Sequence, residues 1–223
     1  MTPAWFVTGT DTGVGKTLVA AALMHRLRER FVRVAGMKPV AAGSDDDTLA
    51  IRDAASVEAP LSLVNPYLLP DPVSPHIAAR RAGVAIDIAT IVRAFHALRE
   101  RSDAVVVEGA GGFRVPLSDS LDGADLAVAL RLPVVLVVGL RLGCLNHALL
   151  TAESIASHGL RLAGWVANRI DAAMPEQQAN VDLLAHRLAA PCLGDVPHRL
   201  PAEARAVARH LHCPDNFFEG NAA

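Results

Sequence analysis

Short apolar runs rich in β-branched residues alternate along the chain with stretches of helical period. The runs are AWFVT (4–8), VRVAGMK (32–38), AVVVEG (104–109), PVVLVVG (133–139), LAGWVAN (162–168) and a weaker APCLGDVP (190–197). Between them, LVAAALMHRLRER (18–30), IDIATIVRAFHALRER (86–101) and CLNHALLTAESIASHG (144–159) place apolar positions three and four apart, and the last closes on a glycine. Strands that are apolar on both faces and separated by helices predict an α/β fold: a doubly wound, mostly parallel sheet flanked by helices. One stretch breaks the rhythm. In VNPYLLPDPVSPH (64–76) the recurring prolines predict an irregular surface loop or lid.

Ligands of such sheets gather outside the carboxyl ends of the strands. The residues that end the apolar runs are the loop after Thr8, then Lys38, Glu108, Gly139 and Asn168, so the unusual polar groups should share one edge. The loop reads GTDTGVGKT (9–17), a phosphate-binding loop of P-loop NTPase type with one residue more than the usual spacing. Gly13 and Gly15 let backbone N–H groups turn inward, Lys16 adds positive charge, and the Thr17 hydroxyl can meet a magnesium ion. Glu108 stands where P-loop enzymes put a metal-orienting carboxylate, although a glutamate there could also cap a helix. Lys38 ends a buried strand and must find an anion, either a phosphate or a carboxylate such as Glu108. Three aspartates, Asp45 to Asp47, open a helical pattern that would usually be a solvated helix start.

At 223 residues the chain is read as one domain, 1–223. Hydrophobic residues make up 52% and aromatics only 4%, a core of Ala, Val and Leu suited to this architecture. A formal net charge of −2 without a basic block argues against nucleic acid. No apolar run reaches the ~18 residues of a membrane span. Cys144, Cys192 and Cys213 show neither disulfide nor zinc-site spacing, which fits a cytoplasmic protein, and HLHC (210–213) lacks a second ligand pair.

Taken in order, GTDTGVGKT, GMKPVAAGS, NPYLLPDPVSPH, VVVEGAGGFRVPLSD, VVGLRLGCLNHALLTAESI and GWVANRID resemble the dethiobiotin synthetase family from Thr2 to about Pro197, leaving the last ~25 residues without guidance. The resemblance implies an ATP-dependent ligase of biotin biosynthesis, which closes a cyclic urea on diaminopelargonate with CO2 and MgATP. It implies that Thr12, Gly13, Val14, Gly15, Lys16 and Thr17 hold the phosphates, with Glu108, Gly111, Asn168 and Pro197 also toward the nucleotide. Lys38 would be catalytic, bridging the γ-phosphate and a substrate carbamate. Thr17, Asp47 and Glu108 would hold Mg2+, with Asp46 as a one-residue slip from Asp47. Substrate would meet Ala42, Gly111, Gly143, Cys144 and Asn146, the last three from the other subunit of a homodimer. Ala42 and Gly13 depart from relatives that carry serine and glutamate there. An amide ligase acting on a corrinoid acid would need a second, glutamine-hydrolysing domain, for which the length leaves no room. The other alternative is an ATPase switch of the partition or septum-positioning kind; those proteins carry a lysine early in the P-loop, where this chain has Asp11, and often a basic membrane-binding helix.

Overall fold

The computed structural model describes residues 2–198 and 203–218. In chain order the elements are β1 (Ala4–Gly9), α1 (Lys16–Leu27), β2 (Val34–Met37), β3 (Val40–Ala42), α2 (Asp46–Ala54), α3 (Leu61–Val64), β4 (Tyr67–Leu69), α4 (Pro75–Ala82), α5 (Ile88–Arg99), β5 (Ala104–Gly112), α6 (Gly123–Leu130), β6 (Val134–Gly139), α7 (Cys144–Ser157), β7 (Leu162–Asn168), α8 (Gln177–Arg187), β8 (Cys192–Val196), α9 (Ala204–Ala208) and α10 (Asp215–Phe218). A parallel sheet of order β2-β5-β1-β6-β7-β8 forms the middle layer. The strand order reverses direction around β1, so the loop after β1 opens into the crevice where such sheets bind ligands.

The two-residue period of the strands divides the core between the faces. Trp5 and Val7 of β1 pack in the layer that holds α1, while Ala4 and Phe6 pack in the layer that holds α5 and α6. Val106 and Val105 of β5 divide in the same way. Helix starts follow local chemistry. The Asp87 carboxylate caps α5 by accepting from Ala89 and Thr90 N–H, and Asp122 forms a reciprocal capping box with Asp125 on α6.

The proline-rich stretch is more regular than its sequence predicts. Tyr67–Leu69 forms β4, which pairs in parallel with Val40–Ala42, and Pro75 opens α4 at the first-turn position that tolerates a missing N–H. The strand ending near Glu108 also runs further, to Gly112, so Glu108 lies inside β5.

The C-terminal segment is docked. Phe217, fully buried, stacks on Trp5 with centroids 4.8 Å apart and planes 3° apart, and Phe218 meets the Trp5 ring edge-on. Arg30 lies 4.4 Å over the Phe218 ring. The HLHC stretch holds its place by a bridge between Leu211 and Gly194; among the described residues no cluster of three or more His, Cys, Asp or Glu could bind a metal. No described helix is long and apolar enough to cross a membrane. Phe217→Ala would empty a stacked, buried position and is expected to lower stability by about 3 kcal/mol. Urea unfolding followed by tryptophan fluorescence and circular dichroism measures it, and a loss below ~1 kcal/mol would show that the tail is not a core element.

Candidate functional site

The loop between β1 and α1 curls back on itself because two of its glycines take left-handed conformations that other residues rarely adopt. Gly13 has φ 74° and Gly15 φ 88°, and a Cβ on Gly15 would lie 2.2 Å from the Asn168 amide. The first N–H groups of α1 therefore face the cleft without helical partners, a natural seat for phosphate. The Lys16 ammonium donates to the backbone carbonyl of Asp11 at 2.8 Å and so folds back over its own loop. Burial, then the neighbouring Lys38, push its pKa down to about 8.

Beside the loop stands a cluster of four side chains. Glu108, completely buried in β5, receives Lys38 Nζ at 2.6 Å and the Thr17 hydroxyl lies 2.8 Å from the same oxygen, Oε1. Asp47, at the start of α2, takes Lys38 Nζ at 2.7 Å and the Thr17 hydroxyl at 2.7 Å. Burial drives the Glu108 carboxyl pKa up, and Lys38 offsets only part of that. Burial also opposes the Lys38 ammonium, but Glu108 and Asp47 together outweigh it and hold its pKa above the ordinary lysine value. For Asp47, half-buried, burial is overcome mainly by Lys38, so its pKa lies below the usual carboxylate value. Lys38 is ion-paired to Glu108 and Asp47, the carboxylate partners that the sequence allowed. Asp47 joins the cluster, while Asp46 stays exposed at the cleft rim.

These groups share one cleft of about 780 Å³, lined by Thr12, Gly13, Gly15, Lys16, Thr17, Lys38, Ala42, Asp47, Glu108 and Gly111 among others. Glu108 Oε2 is buried without a hydrogen-bond partner, which is costly unless something binds it. With Thr17 and Asp47 it makes an all-oxygen donor set, suited to a hard cation of magnesium type that takes its remaining ligands from phosphates and water. The residues fit that ion.

Other expected site residues stand outside the cleft lining. Val14 is buried, and its carbonyl accepts from Asn168 Nδ2 at 2.8 Å, tying the end of β7 to the phosphate loop. Pro197 follows Val196, the β8 partner of Asn168. Gly143, Cys144 and Asn146 form the start of α7. Arg141, in that same connection, pairs with Asp11 of the phosphate loop, a link that sequence reading missed. Asn65, beneath Lys38, was missed too, hidden in the stretch read as irregular.

A family model described as an AAA domain matches residues 4–205. The ATP-dependent dethiobiotin synthetase BioD of Aromatoleum aromaticum is 53% identical over 219 residues, covering 95% of this chain and 97% of that protein. Proteins of the same name from Ralstonia nicotianae (55%, covering 92% and 93%) and Xanthomonas oryzae pv. oryzae (49%, covering 95% and 98%) are similarly close. Among solved structures, the chain resembles the MinD cell division protein of Aquifex aeolicus (17% identity, 97% of this chain and 94% of that one, TM-score 0.58). It also resembles a ParA family ATPase of Chlorobium tepidum (14%, 99% and 98%, TM-score 0.57). At those identities the likeness is one of fold.

Binding of a phosphate chain favours the charged Lys16 and so raises its pKa. Proton uptake on binding is therefore expected as pH rises through about 8, with nucleotide affinity full below that pH and falling above it. Calorimetry of MgATP binding between pH 7 and 9.5, in buffers of different ionisation enthalpy, measures this; an affinity and proton count that stay flat would refute the depressed value.

Proposed function

The chain belongs to the ATP-dependent dethiobiotin synthetase family, and on that premise we propose how its residues divide the work. It is an ATP-dependent ligase that forms the C–N bonds of a cyclic urea. The whole chain acts as one domain in the cytoplasm, a placement supported by its three free thiols. One amine of diaminopelargonate captures CO2 as a carbamate and loses a proton. A carbamate oxygen then attacks the γ-phosphorus of ATP, giving a mixed anhydride and ADP. The second amine attacks the activated carbonyl, loses a proton and expels phosphate, closing dethiobiotin.

The observation that carries this reading is the Lys38–Glu108–Asp47–Thr17 cluster against the phosphate loop. A carbamate beside a triphosphate concentrates negative charge, and phosphoryl transfer needs mainly positioning and compensation of that charge. Lys16 and the N–H groups of residues 12–17 hold the phosphates. Lys38, kept protonated by its two carboxylates, presents its ammonium where γ-phosphate and carbamate meet. Mg2+ held by Thr17, Asp47 and Glu108 would supply charge neutralisation on the β- and γ-phosphates. Gly111, in the glycine-rich end of β5, and Ala42 leave room for backbone approach and substrate. On the base side, Asn168 and Pro197 border the purine, and the Asn168 carbonyl oxygen is the atom that would accept from an adenine amino group.

The substrate's carboxylate lies at the end of an aliphatic chain about 8 to 10 Å long when extended. Behind Gly143, whose φ is 94°, the Leu145 and Asn146 N–H groups lack backbone partners while Cys144 N–H is taken by the Arg141 carbonyl, and Leu142 and Leu150 there are exposed. We assign this surface to a two-fold homodimer in which Gly143, Cys144 and Asn146 of one subunit meet the substrate held by the other.

Mass detection of dethiobiotin formed from diaminopelargonate, bicarbonate and MgATP tests the reaction, with ATP hydrolysis dependent on the diamine. Diamine-independent hydrolysis without product would instead mark a switch. Lys38→Ala is expected to lower kcat on the order of a hundredfold or more while nucleotide binding persists; turnover near the parent rate under saturation would remove Lys38 from the chemistry.

Complementation tests the shared site. A Lys16→Ala chain and an Asn146→Glu chain, each inactive, should regain activity when mixed, since one of two composite sites in the heterodimer is intact. Asn146 is chosen because a side chain at Gly143 would strain its positive φ. No recovery despite proven subunit exchange would refute the shared site.

A further inference from the structure

We infer that Asn65 is a positioning residue for Lys38, its side-chain amide standing in for a backbone donor that Pro66 lacks. Beyond Met37 the chain passes through Lys38 and Pro39 into β3, and residues 64–69 run alongside it in parallel. Lys38 N–H donates to Val64 at 2.8 Å, Tyr67 N–H to Pro39 at 3.1 Å, and Gly43 N–H to Leu69 at 2.9 Å. Successive residues of a regular parallel strand turn their peptide groups to opposite sides, so bonds from Lys38 N–H and to the Pro39 carbonyl place Lys38 before the β3–β4 ladder, which begins at Val40 and Tyr67. In the segment beside it Val64 N–H is taken by Pro60, Asn65 N–H by Leu61 and Tyr67 N–H by Pro39, and Pro66 has no N–H, so no backbone donor there is left for the Lys38 carbonyl.

The Lys38 carbonyl has no way out to water, since the residue is 3% exposed. Asn65 Nδ2 fills the gap at 2.6 Å and gives its second hydrogen to the Tyr67 carbonyl at 3.1 Å. Both neighbours are acceptors, so only the NH2 face of the amide can turn toward them. The opposite atom, Oδ1, is buried without a partner. An unpaired acceptor is a cost, and what the residue supplies against it is the pair of donors under Lys38.

This ties a substrate-side feature to backbone order. The Lys38 ammonium reaches Glu108 and Asp47 at 2.6 and 2.7 Å, and a catalytic group displaced by a fraction of an ångström loses much of its effect. The Asn65 amide donates to the Lys38 and Tyr67 carbonyls and not to the phosphate loop, so its loss should leave nucleotide binding in place.

The inference rests on the role proposed for Lys38, and a mutant cycle at residues 65 and 66 tests it. Asn65→Ala is expected to reduce kcat about tenfold to a hundredfold, with KM for ATP and diamine within about threefold of the parent. Pro66→Ala alone should stay near the parent. In the Pro66→Ala background, where residue 66 has an N–H to offer, Asn65→Ala should recover most of the lost kcat. Near-parent kcat in Asn65→Ala, or an equal loss in both backgrounds, overturns the inference. If Asn65→Ala does not fold, a folded and active double variant supports it and an unfolded one overturns it. A Lys38→Ala enzyme that keeps its kcat would sink the role of the lysine itself. Loss in Lys38→Ala with none in Asn65→Ala sinks only the positioning.

Discussion

A carboxylate shut away from water must be met by positive charge or give up its own. Glu108 is such a group, set in the middle of a parallel sheet and wholly buried, and much of the site follows from it. Its demand draws Lys38 from the end of β2, and Lys38 draws Asp47 from the start of α2. Thr17, from the first turn of α1, closes the group. Four elements are thereby pinned to one point, and that point is next to a loop built to hold phosphate. The unsatisfied Glu108 Oε2 shows that protein atoms alone leave the cluster short of partners.

Where the chain obeys simple periodicity, the sequence was enough to read it. The six long-sheet strands, the loop after β1 and the helices after residues 86 and 144 all stand close to where their patterns predict. Lys38, Glu108 and the phosphate loop share one edge because strand ends in such a sheet must. Asp47 was legible only through family resemblance, since three adjacent aspartates look alike until the helix fixes which one turns inward. The ribbon of β3 and β4 was lost because its prolines signal irregularity, and three-residue strands carry too little pattern to overrule them. Asn65 was lost with it. The docking of α10 depends on a ring stack between the two ends of the chain, which no local pattern encodes.

The likeness to MinD and ParA proteins shows how little of the chemistry the fold itself decides. Position 11 makes the point. An acid there is paired with Arg141, and its backbone carbonyl accepts from Lys16. The contact joins the phosphate loop to the connection before α7. Half-exposed as it is, the pair contributes little stability, roughly 0 to 1 kcal/mol; its importance is in register.

The stack of Phe217 on Trp5 has a consequence for the life of the nascent chain. Trp5 belongs to a central strand, and the ring that covers it lies more than two hundred residues further along the chain. At ~5–20 residues per second, the ribosome takes on the order of tens of seconds to travel from one to the other. During that time an apolar patch on the innermost part of the sheet has no cover, and the emerging polypeptide is exposed to aggregation and to chaperones. Completion of the sheet's face thus waits for a segment made long after the strand it covers, and a bulky group attached beside Phe218 would sit where that segment must dock.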